Sequence, residues 1–600
     1  MGALVIVLFL TISLGIRTND FNKVTGAGNV ESTYHTLLIV KSLQNSKIEN
    51  HWFLPTITLG QARDKYISWG ATVPTKTGDY IYTSFPSLGF LAPYVAFSIF
   101  NIDVNEENMA YFNFSIGALV SIILYLLLFN VLKICGYSSK VAMAGAVAGT
   151  IISIFSREVL QSHGVVYWVH GFYQLILVST LYVLFNYLNS EEKKDYKKNS
   201  QSTFLIFLFF LGAMTEWTGY VFGVGVAILF WFGFFRQRPE KKLSLKIILS
   251  LALAGILTLL HAGFALGFES AINSFIGRFL ARNTSSGNLN SLIGGYGLSY
   301  GLFVIIVISV VAFSFFIRQQ KKESSELKIN VIAFLFVAAT IPLIENMIML
   351  QHANVFSFDR LKFIFPASII IAASFSRLSK KGRVFLYFTL IIASIQGYTS
   401  YKTDLGNYKQ WGGIDAKNKF LASLISASTD VNCSVLLSNI NVRGYANLLM
   451  NRSIYEFTPK EKSLELLEKN KSCSAVYIEG IPKFPDLPYY SSSLITKPDG
   501  KEILIAHLDS GSISSEFFIT DQNWQNGIAK HWTGFLLPNT DNIKSQLVKG
   551  ADIIFTNGEI RKIISINANG IYLNVNVDGA VLDVKETGLP SSFIVRRTLN

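Results

Sequence analysis

Long apolar runs separated by short basic or polar stretches dominate the first 400 residues. They fall at 3–16, 87–101, 110–133, 141–156, 168–188, 203–218, 219–235, 246–267, 297–317, 329–347, 361–376 and 383–398. A segment facing lipid has no water to bond its peptide groups, so each run is expected as a helix. Several are shorter than the ~17 residues that span a bilayer, which leaves individual crossings open. The connections 189–202, 236–246, 318–328 and 377–383 are short and rich in Lys and Arg, which assigns them to the cytoplasm. Alternation from there carries 383–398 outward and puts 400–600 outside. Twelve runs do not close on this pattern, so 11 or 13 crossings are expected, with one segment between 87 and 188 miscounted. Residues 1–16 lack a basic leader and a small-x-small cleavage site, and read as an uncleaved first helix rather than a signal peptide.

Beyond 400 the pattern changes. CSVLLSN (433–439), NVRGYANLLM (441–450), PKEKSLELLEKN (459–470) and CSAVYIEG (473–480) read as strand, helix, helix, strand. From 513 alternating segments with Asn-Gly and Asp-Gly turn signals predict hairpins: EFFIT, TGFLLP, ADIIFTNGEIRKIISI and IYLNVNVDG. The expected organisation is a transmembrane part over 1–399 with an external loop at 17–86, an α/β part over 400–510, and a β-rich sandwich or barrel-like part over 511–600. The fold class is thus a polytopic α-helical membrane protein with a C-terminal extracytoplasmic domain.

Composition agrees with this division. Half of the 600 residues are hydrophobic, 15% are charged, and mean hydropathy is +0.38, which excludes a disordered or collagen-like chain. The net charge of +13 sits in the basic connections and so does not indicate nucleic acid. Three cysteines exclude a disulfide scaffold. Cys433 and Cys473 open the two α/β strands, where a disulfide and two buried thiols both fit; Cys135, beside a basic turn, reads as free. No Walker A motif, dinucleotide fingerprint, HExxH or CxxC is present. ATP-driven transport and a soluble nucleotide-sugar enzyme are therefore unsupported.

Three features carry candidate chemistry. The 17–86 insertion is too long for a bare connector. It holds Asp20 and, at the start of an amphipathic helix opening near Asn29, Glu31. Compensation of the helix dipole is an equally good reason for that acid. Glu216, in LGAMTEWTGYVFG, lies deep in apolar sequence, where an ionisable group is costly unless it faces a cavity or a turn. Arg360 and Lys362, preceded by His352, stand at the outer start of LKFIFPASIIIAAS. Cations there run against the positive-inside trend and suit a bound phosphate, with snorkelling to headgroups as the competing reading. In the tail, Trp524 and Trp532 are candidates for sugar stacking, although a Trp in a β domain is more often core.

The order of these features resembles the GT-C class of membrane glycosyltransferases, in the branch of protein O-mannosyltransferases and lipid A aminoarabinose transferases. VESTY (30–34) resembles the family's acidic motif, HWFLP (51–55) its Trp-x-x-Pro, and IYTSFPSL within 80–94 its Tyr-rich Pro motif. DRLKFIFP (359–366) resembles the late Arg-Tyr-x-x-Pro stretch. Val30 stands where the family has Asp, Ser84 replaces a Lys, and the second external segment (156–172) offers only Glu158, His163 and His170. The resemblance implies transfer of a sugar from a polyprenyl-phosphate donor to a glycan, lipid or protein acceptor at the external face, in a periplasm-facing inner membrane. It implies Glu31 or Asp20 as base and Arg360, Lys362, Arg282 and His352 near the donor phosphate. Tyr34, His35, Tyr82, Glu216 and Glu158 would line the pocket; the metal is unknown, with a divalent ion allowed. A flippase of lipid-linked oligosaccharide and a polysaccharide polymerase or ligase are the alternatives, the first lacking the internal repeat many transporters show.

Overall fold

The computed structural model describes the chain apart from residues 1, 22–28, 30, 60–70, 190–194, 235–238, 283–286, 318–325, 411–420, 427–433, 439–443, 452–454, 457–473, 480–490, 497–501, 509–511, 514–516, 526–530, 556–558, 583–589 and 598–600. Val30, Cys433, Cys473 and the helix expected at 459–470 lie outside the described residues. Two compact units form: residues 1–57 with 71–416, and residues 58–70 with 417–600.

The first unit is a helical bundle. Every apolar run coincides with a helix, including Glu106–Ile134, Val169–Asn189, Lys241–Leu266 and Lys380–Gln410. Among the described residues five helices are long and apolar enough to cross a membrane, and a bent pair, Leu289–Tyr300 with Leu302–Val311, makes up to six. Four shorter apolar helices accompany them. The lipid-facing side is visible on Lys241–Leu266, where Leu245, Leu249, Leu253, Ile256, Leu260 and Phe264 are exposed at helical spacing. The last helix continues to Gln410, beyond the boundary expected at 399.

Two segments that fall between the apolar runs are helical. The 268–296 region contains Phe268–Arg282 and part of Leu289–Tyr300. Phe268–Arg282 is amphipathic: Phe268, Ile272, Ile276, Phe279 and Leu280 are exposed, while Ala271 and Arg282 are buried. Its interruption by polar residues hid it from a search for continuous apolar runs. The 348–360 region forms the short helix Leu350–Val355 and a 3-10 turn, Ser357–Phe363.

The pair Asp195–Thr215 and Thr218–Phe232 breaks at Glu216 and Trp217. Close approach across the break depends on glycine. A Cβ on Gly219 would lie 2.4 Å from the carbonyl carbon and oxygen of Gly212. Gly219→Ala must therefore spread the two helices; a loss of about 1–3 kcal/mol is expected, read as a lower unfolding midpoint in detergent.

Among the described residues the second unit contains two sheets. One has five strands in the order Tyr455–Glu456, Ser434–Ser438, Ser474–Glu479, Glu502–Leu508, Ser491–Thr496, the first three parallel. The other is an eight-stranded antiparallel sheet whose central hairpin, Ile560–Asn569 with Tyr572–Leu582, turns through Gly570 at φ 60°. Its alternate residues, among them Leu573, Val575 and Val577, converge on one core with Phe535, Phe555 and Phe593. Trp524 is part of that core, its ring packed on Phe535 and Phe555, and Trp532 packs partly buried against it. The indole of Trp524 is thus committed to packing and not displayed for a sugar, and that of Trp532 is partly so.

Candidate active site

The site grows from the Ser357–Phe363 turn. In a 3-10 helix residues three apart eclipse, so Asp359 and Lys362 share a face. That face meets three helices. Lys362 is fully buried; its ammonium contacts the Glu345 carboxylate, lies 3.1 Å from Asn346 Oδ1 and is 3.6 Å from Glu216 Oε1. Asp359 is gripped from both sides, His170 Nε2 facing Oδ1 and His352 Nδ1 facing Oδ2. Glu216, in the helix break, accepts from the Thr218 hydroxyl at 2.7 Å and lies 3.2 Å from His170 Nε2. The adjacent Trp217 donates its indole N–H to the Ser84 carbonyl at 2.8 Å, tying the break to the IYTSFPSL segment.

Arg360 points elsewhere. Its Nε donates to Ser299 Oγ at 2.8 Å and one Nη to the Ala353 carbonyl at 2.7 Å. Ser299 in turn donates to Glu158, which also accepts from Ser162 at 2.6 Å. Arg360, Lys362 and His352, expected at a donor phosphate, therefore all have internal partners, and Glu158 braces Arg360 through Ser299 instead of lining a pocket. The partners are set by packing and not by loop position: Ala353 and Asp359 lie seven residues away, Glu345 and Asn346 on the preceding short helix, and Ser299 and Glu216 much earlier in the chain.

Burial outside the apolar helices sets the protonation states. It lowers His352 to about 4, with Arg282 and His170 adding to the effect against Asp359, so this imidazole is neutral at pH 7. Burial pushes the Asp359 carboxyl up, but His352, His170 and Lys362 outweigh it and hold it well below its usual range. Burial likewise depresses Lys362, and Glu345, Glu216 and Asp359 more than restore it.

Aromatic rings join this cluster to the first insertion. His35 lies 4.4 Å from Tyr82 and 5.6 Å from Trp168; Phe85 follows at 5.6 Å from Trp168, with His170 at 5.4 Å and His352 at 6.2 Å. On the Phe85 ring rests Arg282, its guanidinium carbon 4.3 Å from the centroid. Arg282 is buried, and its Nε has no hydrogen-bond partner among the described residues. Arg278, one turn earlier, donates to Ser84 Oγ at 3.0 Å. The amphipathic helix thus lays both arginines on Ser84 and Phe85 while its apolar side stays exposed.

Glu31 opens the helix Glu31–Asn45 half-buried. Asn29, at φ 66°, turns the chain into it and donates to Ser357 Oγ at 3.4 Å, two residues before Asp359. Thr33 fastens the same helix to the non-helical stretch before His170, bonding the Val165 carbonyl at 2.8 Å and the Tyr167 N–H at 2.9 Å. Tyr34 is buried in this helix. Asp20 is engaged elsewhere: it pairs with Lys402 and accepts from the Tyr401 hydroxyl at 3.3 Å, joining the first helix to the last.

Three cluster members were not singled out from sequence. Glu345 is an acid within an apolar run, the signal that identified Glu216. Asp359 was passed over in favour of its cationic neighbours, and His170 was named only as a polar candidate.

No known family profile and no curated protein sequence matches the chain. Solved structures do. ArnT from Cupriavidus metallidurans bound to undecaprenyl phosphate matches over 83% of this chain and 97% of its own, with a TM-score of 0.57 at 10% identity. The apo state of the same protein gives 0.55 over the same shares, also at 10% identity. The oligosaccharyltransferase of Archaeoglobus fulgidus, in complex with Zn and sulfate, gives 0.49 at 16% identity over 79% of this chain and 68% of its own. The chain is an integral membrane protein with the GT-C fold.

Proposed function

We propose that this protein is a glycosyltransferase that moves a sugar from a polyprenyl-phosphate carrier to a glycan, lipid or protein acceptor at the external, periplasm-like face of a bacterial inner membrane. The observation that carries this reading is Arg282. It is a buried guanidinium whose Nε has no hydrogen-bond partner among the described residues, seated on an amphipathic helix whose other side is apolar and exposed. Such a helix lies at the headgroup level of a bilayer. A lipid carrier can enter sideways from the acyl region and bring its phosphate to that depth. The likeness to ArnT, solved with undecaprenyl phosphate, supports the same donor class.

In the reaction, the bond from the anomeric carbon to the carrier phosphate oxygen breaks and its electron pair stays on the phosphate. Arg282 stabilises that charge with a planar fork suited to phosphate, and Arg278 adds to the local field. The acceptor hydroxyl oxygen forms the new bond to the anomeric carbon, and its proton passes to the carboxylate of Glu31. The base is read as Glu31 over Asp20 because Asn29 ties the opening of its helix to the Ser357–Phe363 turn.

The test is turnover of a radiolabelled polyprenyl-phosphate sugar by the purified full chain in lipid nanodiscs. Arg282→Ala is expected to lower kcat/KM ~10²–10³-fold, the loss typical of removing one donor from a developing oxyanion. Wild-type turnover in that variant would overturn the phosphate assignment. A wild-type chain that moves the labelled lipid across the bilayer without cleaving it would overturn the transferase reading.

A further inference from the structure

We propose that His170, His352 and Asp359, with Glu216 as a fourth donor, form a binding site for one divalent transition-metal cation. The three residues come from three separate elements: the start of Val169–Asn189, the helix Leu350–Val355 and the Ser357–Phe363 turn. Each offers one ligand atom, and these atoms all lie within 4.8 Å of one another. Both imidazoles converge on Asp359, one at each carboxylate oxygen, and their rings are nearly parallel at 19° with centroids 6.1 Å apart.

A metal-free account is available for part of this. Asp359 can accept one N–H from each histidine and need nothing more. Two further observations exceed that account. The first is Glu216, which is 1% exposed: its Oε1 lies 3.2 Å from His170 Nε2, and its Oε2 has no hydrogen-bond partner among the described residues. A buried carboxylate oxygen left without a partner costs stability unless something satisfies it. The second is charge. Glu216, Glu345 and Asp359 form a group of carboxylates that itself lies within 4.8 Å, and Lys362 is the one ammonium among the described residues contacting them. At formal charge a divalent cation neutralises the set.

The donor chemistry selects the ion. Two imidazole nitrogens and carboxylate oxygens suit Zn²⁺, Co²⁺, Ni²⁺ or Fe²⁺, whereas Mg²⁺ and Ca²⁺ take oxygen alone. Tetrahedral binding at ~2.0–2.2 Å from each ligand requires donor atoms ~3.3 Å apart, a small opening of Asp359 from its two histidines. Four protein ligands in a buried position make a closed site. The ion would staple the turn carrying Asp359, Arg360 and Lys362 to the helix break at Glu216, whatever reaction the protein performs. The proposal does not depend on sugar transfer.

The experiment uses the full, untagged chain, stripped with a chelator in detergent and titrated with Co²⁺ and then Zn²⁺. One equivalent of Co²⁺ per chain is expected, with the visible ligand-field bands of a four-coordinate nitrogen and oxygen site that Zn²⁺ bleaches. His352→Ala and Asp359→Asn should each weaken binding by more than the ~10–100-fold that loss of a supporting partner costs. If either variant fails to fold, X-ray absorption on the wild-type cobalt form decides alone, by showing two imidazole ligands. Absence of ligand-field bands in the wild type, stoichiometric binding of Mg²⁺ but not Co²⁺, or unchanged cobalt affinity in both folded variants would overturn the site.

Discussion

Lys362→Met is expected to destabilise the membrane unit by about 3–5 kcal/mol, the cost of breaking a buried ion pair from one side. The ammonium is fully buried and contacts the Glu345 carboxylate, with Glu216 at 3.6 Å and Asn346 Oδ1 at 3.1 Å. Methionine keeps most of the volume and removes the charge, so the variant leaves carboxylates in a medium that penalises them. The pair is better judged by a cycle than by one substitution. Glu345→Gln combined with Lys362→Met should recover part of the loss, because a smaller uncompensated charge then remains. Unfolding midpoints in a detergent series of the single and double variants measure this. A loss below about 1 kcal/mol for Lys362→Met would mean that the ammonium faces solvent or substrate, and would return Lys362 to the donor phosphate.

That outcome bears on what the sequence could reveal. The helices were legible because lipid imposes one rule: each run must bond its own backbone, so apolar length alone marks it. The strands 434–438 and 474–479 and the hairpin at 560–582 were legible because alternation and turn residues act locally. The amphipathic helix Phe268–Arg282 escaped, since a helix lying in the interface needs only one apolar side. The chemistry was legible by residue and obscure by partnership. Glu216 was found from its cost in apolar sequence, and Glu345, equally costly, was overlooked inside a run read for its length. Arg360 and Lys362 looked like exposed cations because the acids near them, Glu158 by way of Ser299, and Glu216 and Glu345 directly, belong to other elements and meet them only once the bundle packs. Spacing along the chain cannot encode that neighbourhood.

For the general base the expected result is a split between rate and stability. Glu31→Gln should lower kcat ~10²–10⁴-fold, the usual contribution of a positioned proton acceptor. KM for the lipid donor should change little, since the phosphate contact is assigned to Arg282. Were Glu31 only a dipole-compensating residue in the first turn, its loss would cost about 0.3–1 kcal/mol of stability and leave turnover intact. Asp20→Asn supplies the contrast. Its carboxylate pairs with Lys402 and accepts from Tyr401, linking the first helix to the last, so its replacement should lower the unfolding midpoint more than it lowers kcat. Turnover of the radiolabelled donor and detergent unfolding, measured on both variants, distinguish the roles. If Asp20→Asn abolished turnover at an unchanged midpoint while Glu31→Gln stayed active, the base would be Asp20. Full activity in both would remove either carboxylate from the chemistry and move the search to the buried acids at Glu216 and Asp359.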